Sequence, residues 1–146
     1  MIAIGCDHGA FNLKNAVKKY LEGSGLEVKD FGIYEEGRVD YPDIAEVVCK
    51  SIVSGECEKG ILLCGTGIGI SIAANKIKGI RAAVCNEVYC AKMAKCHNNA
   101  NVITLGGRVV GEDVALEIVS AWLDSEFMGG RHQERIDKIT NLEKGE

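Results

Sequence analysis

Residues 60–71 read GILLCGTGIGIS. Four uninterrupted apolar residues, Ile61 to Cys64, end in a glycine-rich turn. Such a run, bounded by turn residues, predicts a central strand buried on both faces. The loop Gly65-Thr66-Gly67-Ile68-Gly69 then feeds a short helical stretch through Asn75.

Working outward, the same alternation repeats. Upstream, IAIG (2–5) reads as a strand, and Ala10, Leu13, Ala16, Val17, Tyr20 and Leu21 recur at helical spacing until Ser24-Gly25. LEVKDFG (26–32) alternates like a strand. Residues 33–41 form a polar loop ending in Tyr41, and Pro42 starts a helix along Ile44, Ala45, Val48 and Ile52. Downstream, IRAAVC (80–85) and NVITLG (101–106) are strands, with a helix over 87–96 between them. A strong amphipathic helix follows through Val114, Ala115, Ile118, Val119 and Trp122. After Gly129-Gly130 a last helix carries His132, Ile136 and Ile139. Five strands alternating with helices specify an α/β fold with a largely parallel sheet covered on both faces.

The chain has 146 residues, one proline and no linker-like tract, so it reads as a single domain over 1–146. Seventeen basic against 21 acidic residues give a net charge of −4, which argues against nonspecific nucleic-acid binding. No apolar run approaches the ~18 residues of a membrane span. The start, MIAIGCDHGAF, lacks a secretory pattern. Seven cysteines cannot all pair within one chain, and none form CxxC. They fit small buried thiols in a reducing cytoplasm. A metal cluster of Cys90, Cys96 and His97 lacks a second paired half.

In open parallel sheets, ligands bind beyond the carboxyl ends of the strands. That rule selects loops 6–10, 65–71, 86–87 and 106–108, with the turn at His97 as a further suspect. Cys64 ends the central strand against a loop whose N–H groups favour an anion and the thiolate form. It reads as a nucleophile or base rather than an inert thiol. Asp7 and His8 suit a polyol or an anion, though Asp7-His8-Gly9 also reads as a turn and helix cap. Arg131 and Arg135, spaced i,i+4, form a phosphate clamp that Arg108 can join, or a solvated face neutralised by Glu134 and Asp137. His97 is an acid/base candidate, or part of a helix C-cap with Asn98 and Asn99. His132 reads as a surface residue and Trp122 as core. A thiolate base, backbone donors, a histidine, a polyol-binding aspartate and an arginine clamp together suit proton abstraction beside the carbonyl of a phosphorylated sugar. GTGIGI with Glu87 downstream keeps a nucleotide-binding module open, although Ile70 replaces the third glycine of the fingerprint. A thiol redox protein ranks third.

At these residues the chain resembles the type B ribose-5-phosphate isomerases, whose wider family includes allose- and galactose-6-phosphate isomerases. The match runs through IAIGCDHGAF, DYPDIA, GILLCGTGIGISIAANKIKGIRAAVC, HNNANVITLGGRVVG and GGRHQERI. The resemblance implies a three-layer α/β/α Rossmann-like sandwich, assembled as a homodimer or tetramer with each site built from two subunits. It implies interconversion of ribose 5-phosphate and ribulose 5-phosphate, in the pentose phosphate pathway, without metal or cofactor. Cys64 would be the catalytic base and His97 would open the sugar ring. Gly65, Thr66, Gly67, Ile68 and Gly69 would stabilise the anion, and Tyr41 would lie in the sugar pocket. Asp7, His8, Asn98, Arg108, Arg131 and Arg135 would bind substrate.

Overall fold

The computed structural model describes residues 1–145. In chain order the elements are β1 (Ile2–Cys6), a 3-10 turn (His8–Ala10), α1 (Phe11–Gly23), β2 (Val28–Asp30), α2 (Tyr41–Val53) and β3 (Lys59–Cys64). They continue with α3 (Ile68–Ala74), β4 (Ala82–Val84), α4 (Val88–Cys96), β5 (Val102–Gly106), α5 (Glu112–Asp124) and α6 (Arg131–Glu143).

The five strands form one sheet in the order β2-β1-β3-β5-β4, and every pairing is parallel. The central strands β1 and β5 are buried throughout, and β3 from Gly60 onward, which is why their sequences are apolar runs interrupted only by Thr104 on β5. The edge strands are three residues long and only partly buried. The alternating stretch 26–32 therefore yields a regular strand at 28–30 alone. Beyond it the chain still follows β1, through Cys6 N–H to Gly32 C=O at 2.7 Å and Ile33 N–H to Cys6 C=O at 3.2 Å.

Helices α1, α5 and α4 pack together on one face, and α2 and α3 on the other. This is the three-layer sandwich. Helices α1, α2 and α5 bury most of the stripe their spacing foretold, through Val17 and Leu21 on α1, Val48 and Ile52 on α2, and Ile118 and Trp122 on α5, whereas Val114 on α5 and Ile139 on α6 stay exposed. Burying one such side chain contributes about 1.5–3 kcal/mol. The Trp122 indole N–H donates to the Ala100 carbonyl at 3.1 Å, so this ring brings no unpaired donor into the core. Tyr41, expected to end the loop, is the first residue of α2, with Pro42 in its first turn. Among the described residues, no helix is long and apolar enough to cross a membrane.

Candidate active site

Strand β1 has β2 on one side and β3 on the other, so the chain reverses direction across the sheet between β1 and β3. A crevice opens there at the strands' carboxyl ends. Three loops interlock around it. Asp7 N–H donates to Leu63 C=O at 3.1 Å, Gly107 N–H to Cys64 C=O at 2.8 Å, and Arg108 N–H to Gly65 C=O at 3.0 Å.

Cys64 ends β3 in this crevice, buried, and its Sγ accepts the Gly67 N–H at 3.2 Å. Gly67 is left-handed, at φ 82°, and a Cβ there would lie 2.9 Å from the Leu105 backbone. Only glycine meets both conditions. Thr104 Oγ1 donates to Gly67 C=O at 2.6 Å, and the Ile68 N–H donates to Thr66 Oγ1 at 3.1 Å. Asn86 completes the clamp: its amide donates to Thr66 C=O at 3.0 Å and accepts the Gly106 N–H at 2.8 Å. The loop is thus preorganised around the sulfur by side chains on β5 and after β4.

The other thiols differ in setting. Burial pushes Cys6 up to about 11 and Cys49 and Cys85 up to about 12, so these three stay protonated at neutral pH.

Asp7 is buried and accepts the Gly9 N–H at 2.8 Å, so it both caps its turn and faces the crevice. His8 beside it is exposed. Together with Tyr41 they line a cavity of about 540 Å³, ample for a sugar phosphate. Tyr41 lies against the cysteine loop: a Cβ on Gly69 would fall 2.6 Å from its ring. On the other side, the Arg108 guanidinium lies over Gly65. Cys64, the 65–69 loop, Asp7, His8, Tyr41 and Arg108 therefore share one end of the sheet.

His97, Asn98, Arg131 and Arg135 do not join them within one chain. Helix α4 runs back against the strands and ends at Cys96, so His97 caps it at the amino ends of the strands. A five-residue strand spans roughly 17 Å, and that length of sheet separates the two groups. The 97–99 turn is held firmly. Asn99 is left-handed, at φ 44°, and Arg81 donates to the carbonyls of Asn98 at 3.1 Å and Asn99 at 2.8 Å. The start of α6 is tied to the end of α4 by Met128 N–H to Cys96 C=O at 3.0 Å. This brings His132 onto His97, their rings stacked at 4.4 Å and 10° apart. Arg131 and Arg135 are exposed beside them.

The ribose/galactose isomerase family model matches residues 2–139. The chain is 50% identical to ribose-5-phosphate isomerase B of Escherichia coli K12, covering 98% of this chain and 96% of that one. It is 48% identical to D-erythrulose-4-phosphate isomerase of Pectobacterium atrosepticum, covering 99% and 96%. Among solved structures, ribose-5-phosphate isomerase B of Clostridium thermocellum superposes with a TM-score of 0.98 at 54% identity, covering 99% and 97%. The chain belongs to the ribose/galactose isomerase family.

Within this family fold, two readings from the sequence change. Glu87 does not face a nucleotide pocket. Its carboxylate caps α4, accepting the Tyr89 and Cys90 N–H groups at 2.7 Å each, and the Cys90 thiol, then these N–H groups, hold it below the usual glutamate range. His132 is not on the surface: it is 7% exposed, because it shares the inward stripe of α6 with Ile136. Asn86, Thr104 and Arg81 support the site, though no sequence motif assigns them that role. Asn86 had a visible cue, since it lies in a loop selected by the strand-end rule. Thr104 and Arg81 act through contacts distant in sequence, which no local pattern reveals.

Proposed function

We propose that this chain interconverts ribose 5-phosphate and ribulose 5-phosphate, the aldose–ketose step of the pentose phosphate pathway, with Cys64 as base and His97 as the ring-opening group. The observation that carries this reading is the buried Cys64 sulfur at the sheet's switch point, held by the Gly67 amide beside Asp7, His8, Tyr41 and Arg108.

His97 would accept the proton of the C1 hydroxyl and deliver one to the ring oxygen as the C1–O4 bond breaks. The free aldehyde results. Cys64 thiolate then takes the C2 proton, and the electron pair moves through C1=C2 onto O1, giving an enediolate held by the 65–69 loop. The thiol returns its proton to C1, and the O2 hydroxyl proton passes to O1, leaving the ketone at C2. Protons move and no net electrons leave the substrate, so no nicotinamide is required. Arg108, Arg131 and Arg135 would hold the phosphate, whose binding energy positions the reacting carbons. Asn98 would bind the sugar beside His97.

The separation of His97 from Cys64 supports a homodimer in which one protomer supplies Cys64, Asp7 and His8, and its partner supplies His97. Exposed apolar side chains beside the cysteine loop, Ile68 at 54% and Ile72 at 60%, support the same assembly. The seven free thiols support action in the reducing cytoplasm.

The test is ketose formation from ribose 5-phosphate by the purified protein, wild type and Cys64→Ala side by side, with no metal or cofactor added. Turnover in the wild type alone supports both reaction and base. Wild-type inactivity there, with turnover of allose 6-phosphate, galactose 6-phosphate or D-erythrulose 4-phosphate, would reassign the sugar. Inactivity on all four would overturn the reading.

A further inference from the structure

We propose that His132 is a positioning residue for His97: its ring stacks on the His97 imidazole and fixes the plane in which His97 exchanges protons with the sugar. The inference rests on the ring-opening role given to His97 above.

The geometry is specific. The two ring centroids lie 4.4 Å apart and the planes only 10° from parallel, an offset stack that covers part of one face of His97. His97 is half-buried and His132 is buried, so the uncovered part of the pair that meets solvent is His97. The pair is braced from both sides. On the α4 side, His97 N–H donates to Met93 C=O at 2.8 Å, and Arg81 grips the two following carbonyls. On the α6 side, Gly129 and Gly130, at φ 64° and 58°, make a turn whose Gly129 C=O accepts the His132 N–H at 3.1 Å. That turn allows the Met128 bond to Cys96 and the entry of His132 in the same few residues.

The electrostatics agree with this division of labour. Burial, then the neighbouring His97, Arg131 and Arg135, hold His132 below the ordinary histidine range. His132 is thus a neutral ring at neutral pH. A neutral partner lets the stack accept a proton without setting two charges 4.4 Å apart. A stack that fixes the ring plane also fixes where the His97 nitrogens point. General acid–base catalysis depends on that direction, and small misplacements of a reacting group are costly.

The experiment separates ring opening from proton abstraction. Ribose 5-phosphate is a closed furanose, whereas ribulose 5-phosphate is open-chain because its O5 carries the phosphate. Forward turnover of the first requires ring opening. Deuterium uptake from D2O at C1 of the second requires only the Cys64 steps. In His132→Ala, forward kcat should fall about ten-fold or more, with KM changed less than about two-fold and deuterium uptake near wild type. His132→Phe, which restores a flat ring, should recover most of the loss. The His97 ring-proton resonances, shielded by the stack, should move downfield in His132→Ala and return in His132→Phe. His97→Asn is the reference. If it slows both reactions equally, the ring-opening role of His97 fails. If it slows only forward turnover while His132→Ala slows both, or neither, the positioning role of His132 is overturned. Unmoved His97 resonances in His132→Ala would overturn it as well.

Discussion

Gly67 directs its backbone N–H at the sulfur of Cys64 across 3.2 Å, from a left-handed conformation closed to residues with a side chain. Cys6 also ends a central strand, but burial raises it to about 11, and burial raises Cys49 and Cys85 away from reactivity as well. Cys64→Ala should therefore lower kcat by at least about 10³-fold while a substrate-like sugar phosphate still binds. Steady-state kinetics and calorimetry on the same variant check this. Turnover within ten-fold of wild type would remove Cys64 as the base.

Asn86 bridges Thr66 and Gly106 with one hydrogen bond in each direction. Asn86→Ala hands the exposed Thr66 carbonyl to water and leaves the partly buried Gly106 N–H without its partner, at a cost of about 1 kcal/mol in stability. The same loss loosens the loop around Cys64, so kcat should fall more than KM rises. Urea denaturation and kinetics check the two effects. An unchanged kcat would mean that Thr104, which donates to Gly67, is sufficient to hold the loop.

The fold was readable because its central strands are almost wholly apolar. GILLC has no alternation to misread and VITLG is broken only by Thr104, and parallel sheets covered on both faces require such runs. Cys64, Asp7, His8 and Arg108 were readable as a cluster because strand ends in parallel sheets converge. His97 was assigned to the same chemistry, but direction along α4 carries it to the far end of the sheet. That separation follows from topology, which local patterns do not encode. His132 departs from its sequence reading for a different reason. Its i,i+4 relation to Ile136 puts it on the buried stripe, yet a histidine between two arginines looks solvated until α6 is seen to turn back onto α4.

Lys14 is 1% exposed, and its Nζ meets Asp30 Oδ2 at 2.6 Å and the Ile33 carbonyl at 2.9 Å. Lys14→Met removes the main partner of a carboxylate that is itself 9% exposed, leaving Lys18 at 3.4 Å. Breaking a buried pair from one side costs about 3–5 kcal/mol, and the remaining lysine places this case at about 3. Adding Asp30→Asn should recover part of the loss, because the orphaned charge is then gone. A double-mutant cycle in urea checks this, and additive losses would show that the two groups act independently.

Arg135 and Arg131 stand one helical turn apart and exposed on α6, beside the histidine pair. If they clamp the phosphate, Arg135→Ala should raise KM about ten-fold or more with a smaller change in kcat. A phosphate contact contributes in the ground state and the transition state alike. Competitive inhibition by inorganic phosphate should weaken in parallel. An unchanged KM would assign Arg135 to the solvated face that its neighbours Glu134 and Asp137 also permit.

His132 also predicts a pH dependence of stability. Burial, then the neighbouring His97, Arg131 and Arg135, lower its value in the folded state below the ordinary 6.5. Between those two values the unfolded chain binds more protons than the folded one, so stability rises with pH across that window. The His132 contribution is complete above about pH 6.5 and is lost as acid titrates down through the folded value. His132→Phe cannot take up the proton, so its urea midpoint should decline less than that of wild type between about pH 6.5 and 5.5. Both proteins must be compared at one concentration, because assembly also shifts the midpoint. Parallel declines would mean that His132 titrates alike in the folded and unfolded chains, and that its place against His97 leaves its charge state unconstrained.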